Sequence, residues 1–126
     1  MRKFLLVTLV AASSLAFAEA PSGQKIYQAA CRNCHDPLVS NGIKSPAAHD
    51  QEAWKARFKE ADAAVKAHPE RYKDAYDYFI QHVTIGKGLM HHGGLCKESV
   101  KNPEDCTPEA YRAAIEFMSS PAPATQ

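Results

Sequence analysis

The chain has 126 residues, 45% of them hydrophobic and 23% charged, with 15 basic against 14 acidic side chains. That length suits a single domain with a short extra segment. A charge so nearly balanced excludes the basic face of a nucleic-acid binder and the polybasic surface of a protein held on a membrane by charge.

Residues 1–18, MRKFLLVTLVAASSLAFA, begin with Arg2 and Lys3, continue through a mostly apolar run from Phe4 to Leu15 and close on Ala16-Phe17-Ala18. This is the three-part pattern of a secretory signal cleaved after Ala18, and its apolar run falls short of the ~20 residues a spanning helix needs. The mature chain then starts at Glu19 with 108 residues, thirteen basic against fourteen acidic. No later segment is apolar enough to span a bilayer, so a soluble periplasmic product is expected, with one domain over 19–119 and a disordered tail over 120–126. All four cysteines, Cys31, Cys34, Cys96 and Cys106, fall in the exported part, where disulfides persist. Four cysteines allow three pairings.

Ser22 caps a first short helix through Gly23, Ile26, Tyr27 and Ala30, which runs into Cys31-Arg32-Asn33-Cys34-His35. A second helix is predicted from Asp50 to Ala67, with Trp54, Phe58, Ala61 and Val65 in a stripe along one face. A third is predicted from Pro69 to Gly86, placing Tyr72, Tyr76, Phe79, Ile80 and Val83 on one side. Thr107-Pro108-Glu109 opens the fourth, with Tyr111, Ala114, Ile115 and Met118 facing inward, and it ends before Pro121. No useful length alternates with period two, so the expected fold is all-α. The stretches between helices, 36–49 and 86–106, read as loops that are long for so small a domain, and such loops carry function or wrap a ligand.

Cys-x-x-Cys-His is the signature of c-type haem attachment, in which two thiols add across the haem vinyl groups and the adjacent imidazole is brought under the iron. Three other chemistries use paired cysteines. A thioredoxin-like dithiol normally follows a strand, and none is predicted. A zinc site would have to recruit Cys96 or Cys106, whose separation of ten is too wide for a zinc knuckle. A plain Cys31–Cys34 disulfide leaves His35 without a role. One covalently attached haem c is therefore expected, with His35 as one axial ligand. Met90, 55 residues downstream of His35 in the glycine-flanked GKGLMHHGG, is a candidate for the other axial position, core filling being the alternative.

From Ser22 to Met118 the chain resembles a small class I cytochrome c, most closely the bacterial cytochrome c5-like branch, in CRNCH, a Ser-Pro turn, EAWKAR, GKGLM, GGLC and the closing AAIEFM. The resemblance implies about four helices and long loops wrapped around the haem, thioethers at Cys31 and Cys34, and axial ligation by His35 and Met90. It implies further that the Pro46 carbonyl meets the free ring nitrogen of His35, and that Trp54 and Arg57 lie near the haem and its propionates. This sequence departs from the family in having His91 and His92 after Met90, rival imidazoles for the iron. His49, His68 and His82 are more remote candidates, read as surface or helix-face residues. That branch also carries a cysteine pair after its methionine loop, set closer together than here. The implied counterpart is a Cys96–Cys106 disulfide tethering the distal loop to the last helix, the alternative being a redox-active pair.

The function these readings imply is a periplasmic monohaem electron carrier, not itself an enzyme, which meets redox donors and acceptors transiently, with Lys44, Lys87 and Lys97 as candidates to frame the haem edge. Two alternatives stand beside it. One is a haem enzyme or gas-binding sensor with an open or histidine-ligated distal site. The other is a haem subunit of a larger dehydrogenase complex that relays electrons internally.

Overall fold

The computed structural model describes residues 22–90 and 96–124, so the expected signal segment, His91 and His92 lie outside the described residues. Among the described residues the fold is helical and free of strands; an isolated antiparallel bridge joins Lys87 to Met90.

The first helical run covers 23–35 in three parts. Helix α1 (Gly23–Ile26) starts at Ser22, whose side chain accepts from the Lys25 amide. A π-helical turn (Tyr27–Cys31) follows, in which the Arg32 N–H reaches back to the Tyr27 carbonyl, one residue further than an α-turn. Helix α2 (Arg32–His35) then carries the end of the cysteine motif. The extra residue in the π-turn rotates α2 about the run's axis relative to α1, which sets the direction in which the motif side chains leave the helix.

Helix α3 (Pro37–Ile43) occupies a stretch expected to be loop. Its start is nonetheless written in the sequence: Asp36 accepts from the Leu38 amide and Pro37 fills the first turn, where a missing N–H costs nothing. Lys44 ends it in the left-handed conformation at φ 57°. Helix α4 (Gln51–Ala67) is capped by Asp50 and matches the expected range. Helix α5 (Ala75–Ile85) starts six residues later than Pro69, because Asp74, in extended conformation, caps the Asp77 amide and takes the start for itself. Tyr72, expected on that helix, lies before it and is buried. In the second expected loop, α6 (Cys96–Ser99) and a 3₁₀ turn (Pro103–Asp105) precede α7 (Pro108–Ser119), which Thr107 caps through the Ala110 amide.

Helices α1 and α7 cross at backbone contact: a Cβ added to Gly23 would sit 2.0 Å from the Ala113 carbonyl oxygen. Around this crossing Ile26, Ala30, Cys96, Ala110, Tyr111 and Ala114 form one buried cluster. On the other side of α7, Tyr27, Ala48, Trp54, Ile115 and Met118 form a second, with Phe58, Tyr76 and Phe79 packed against it. The Cys96–Cys106 disulfide, with Cα atoms 5.9 Å apart, pins α6 to the segment entering α7, and Cys96 is wholly buried.

Two variants test this framework. Gly23→Ala forces the helices apart and should cost at least the ~1–3 kcal/mol of an overpacked core, read as a lowered midpoint in thermal or urea unfolding. Replacing Cys96 and Cys106 together by serine should remove about 3 kcal/mol by the same assay, and reductant should then have no further effect on stability.

Candidate functional site

A cavity of about 330 Å³ lies between α2, the 44–46 segment, α4, α5, the turn before residue 91 and α7, within the size range of small-molecule sites. Cys31, Cys34, His35, Pro46, Trp54, Arg57 and Met90, the seven residues singled out from the sequence, all line it.

The motif side chains reach the cavity because the chain turns away beneath them. Asp36 leaves α2 in extended conformation, α3 carries the chain outward, and left-handed Lys44 brings it back under the motif. Three contacts fasten this return. Ser45 Oγ donates to the Cys34 carbonyl, the Ala48 amide donates to the His35 carbonyl at 2.7 Å, and His35 Nδ1 donates to the Pro46 carbonyl at 2.7 Å. The last contact fixes the ring and its tautomer and leaves Nε2 as the nitrogen available to a ligand. Trp54 braces the assembly: its Nε1 donates to the Ala47 carbonyl at 2.9 Å and its indole stacks on His35 with centroids 6.0 Å apart. Arg57 donates from one nitrogen to the Lys44 carbonyl and from another to Glu60, both at 3.0 Å, so its guanidinium is held at the cavity edge.

Electrostatics favour uncharged donors. Burial holds the His35 imidazole below its ordinary value; the Pro46 carbonyl opposes that shift and the Arg57 guanidinium adds to it. The neutral ring is the form that binds a metal. Burial, with the neighbouring Cys34 thiol second, pushes the Cys31 thiol up to about 12. A redox dithiol needs the opposite, a depressed thiol, which argues against the thioredoxin-like alternative. Cys31 and Cys34 are free thiols, whereas Cys96 and Cys106 are joined to each other, so the latter pair cannot complete a zinc site. Among the described residues no group of three or more His, Cys, Asp or Glu side chains is arranged to hold a metal ion. Two free thiols at haem c attachment spacing, a buried imidazole with one nitrogen already anchored, and largely apolar walls fit a covalently held haem.

Helix α5 supplies a wall whose Phe79 and Val83 lie on the expected stripe, while Tyr78 and His82 are the wall residues that sequence reasoning missed. Tyr78, Phe79, His82 and Val83 line the cavity, two adjacent pairs four residues apart. No residue of α5 is fully buried: Tyr76 and Phe79 pack against Phe58 of α4, while Tyr78, Phe79, His82 and Val83 front the cavity. His82, read as a surface or helix-face residue, is half-buried on that wall. Its spacing from Tyr78 was the available signal. Met118, expected in the core, is buried there and also reaches the cavity. Lys44 and Lys87 stand at the cavity, while Lys97 is on α6 and not among the residues lining it.

Among the described residues no helix is long and apolar enough to cross a membrane. The family model described as cytochrome c oxidase, cbb3-type, subunit III matches residues 18–118. No curated protein and no solved structure matches the chain. The family match corrects the resemblance to the cytochrome c5-like branch. Cys-x-x-Cys-His is the pattern of haem attachment as such and does not by itself choose a lineage. The wider Cys96–Cys106 spacing was a departure from that branch already visible in the sequence. The match also overturns the reading of a free periplasmic carrier, since the family is that of a component of an oxidase assembly, in line with the alternative of a haem subunit in a larger complex. The chain belongs to the family of subunit III of cbb3-type cytochrome c oxidases.

Proposed function

We infer that this chain is the haem-c-bearing relay subunit of a respiratory oxidase complex, facing the periplasm, with residues 1–18 removed on export and a class I cytochrome c wrap over 19–119. The observation that carries this reading is that two free thiols and a Nδ1-anchored imidazole share one cavity with the Met90 thioether. When bound, haem c supplies a one-electron ferrous–ferric couple at a potential tuned by its ligands and surroundings.

Each residue then has a task that follows from its position. Cys31 and Cys34 are the residues that would hold the group, as thioethers. His35 would hold the iron through Nε2, and the Pro46 carbonyl keeps the ring from rotating and raises its basicity. Met90 would offer the iron a soft thioether, which favours the reduced metal and a higher potential. Trp54 packs the proximal ring against α4, and Arg57 presents a fixed positive charge for the haem propionates. The walls contributed by α5 and α7 would give the bound group largely apolar surroundings, one of the levers on its potential. With the group bound, the chain would take single electrons from redox donors and pass them on within the complex.

The wild-type ferric protein should show a near-infrared methionine–iron charge-transfer band that Met90→Ala abolishes, with a lower midpoint potential in the variant. Isolation from native membranes should recover the chain with the catalytic subunit of the oxidase. A wild-type protein without that band would remove Met90 from its assigned role, and a chain that never accompanies an oxidase would remove the relay.

A further inference from the structure

Met90 ends a tight turn rather than a helix. Gly88 takes φ 61°, and the Lys87 and Met90 backbones exchange two hydrogen bonds, each 3.0 Å long. Leu89 at the tip is exposed, as is the neighbouring Ile85, so packing adds little to hold the turn against the cavity. What ties it back to α5 beyond the helix end is a side-chain contact: Lys87 Nζ donates to Tyr78 Oη at 2.8 Å and lies 5.2 Å from the centre of the same ring.

The accepting phenol is itself held in place. Its ring meets His82 edge-on at 4.0 Å, Tyr72 at 5.2 Å and Phe79 at 5.6 Å. Tyr72 is buried, which gives that residue, stranded ahead of α5, a purpose. The oxygen therefore presents an acceptor whose position is set by three neighbours, and the lysine on the turn reaches it without ordering a second flexible side chain. The conformational cost that makes most surface pairs worth little is largely removed on one side.

We propose that Tyr78 and Lys87 are positioning residues for Met90: the phenol oxygen holds the Lys87 ammonium and thereby pins the turn at the cavity mouth. The inference deepens the distal-ligand reading of Met90 and rests on it for its functional consequence. The pin itself is a property of the polypeptide. Tyr78→Phe keeps the ring and loses the acceptor; Lys87→Met keeps the stem and loses the donor. A turn with few other contacts opens locally, and loss of one charge-assisted hydrogen bond should raise its opening about tenfold.

The test is amide hydrogen exchange on the haem-loaded full chain in the wild type, both single variants and the double variant, with Lys55→Met on α4 as a charge control. The Lys87 and Met90 amides should exchange about tenfold faster in each single variant and no faster in the double, while Lys55→Met leaves them unchanged. In the same samples the ferric near-infrared band should weaken at a lower temperature in both single variants, a readout that a purely structural role in α5 would not move. Unchanged exchange in the single variants, or effects that add in the double variant, would overturn the pin. A wild type with faster-exchanging variants but no band keeps the pin and removes Met90 as ligand; a band present with unchanged exchange does the reverse.

Discussion

The hydrogen bond from His35 Nδ1 to the Pro46 carbonyl is the constraint around which the site is arranged. It requires the chain to leave α2, run out along α3 and return beneath the motif within eleven residues, and the left-handed Lys44 makes that return possible. In exchange it settles which nitrogen of His35 is available and in which direction the ring faces. The neighbouring contacts, from Ser45 to Cys34 and from Ala48 to His35, hold the same return strand to the same helix, so the motif has little freedom to reorient.

That arrangement needs a rigid floor, which the crossing of α1 and α7 supplies. Gly23 allows the two backbones to touch, and the π-turn that follows sets the rotation with which α2 leaves the crossing. The same helix α7 contributes Tyr111, Ala114, Ile115 and Met118 to the cavity wall, so the packing that stabilises the fold also shapes the site. The disulfide adds a second restraint at the α7 entrance, downstream of the distal turn. Met90 stands apart from this rigid frame, on a two-residue turn attached to α5 mainly through a side chain.

Much of this is legible in the residues themselves. Capping side chains mark α4 and α7, and the apolar stripe of Trp54, Phe58 and Ala61 points α4 at the right neighbours. The spacing of Cys31, Cys34 and His35 singles out a chemistry that few other arrangements share. Helix α3 lies in a stretch whose length reads as loop although Asp36-Pro37 is a sound helix start, and α5 begins later than Pro69 suggests because Asp74 is the residue that caps. The α5 wall was half legible: Phe79 and Val83 lie on the apolar stripe, whereas Tyr78 and His82 sit beside it and carry polar atoms that a search for apolar periodicity passes over. The lineage was misread for a related reason. The features that bind a haem are common to carriers and to subunits, whereas the difference between them lies on surfaces whose partners leave no short motif.

The most direct test is the mass of the peptide spanning Cys31 to His35, recovered from the exported chain after proteolysis. The account predicts that this peptide carries one haem, bonded through both cysteines, and absorbs visible light. Recovery of the same peptide colourless, with both thiols free or joined to each other, would contradict it.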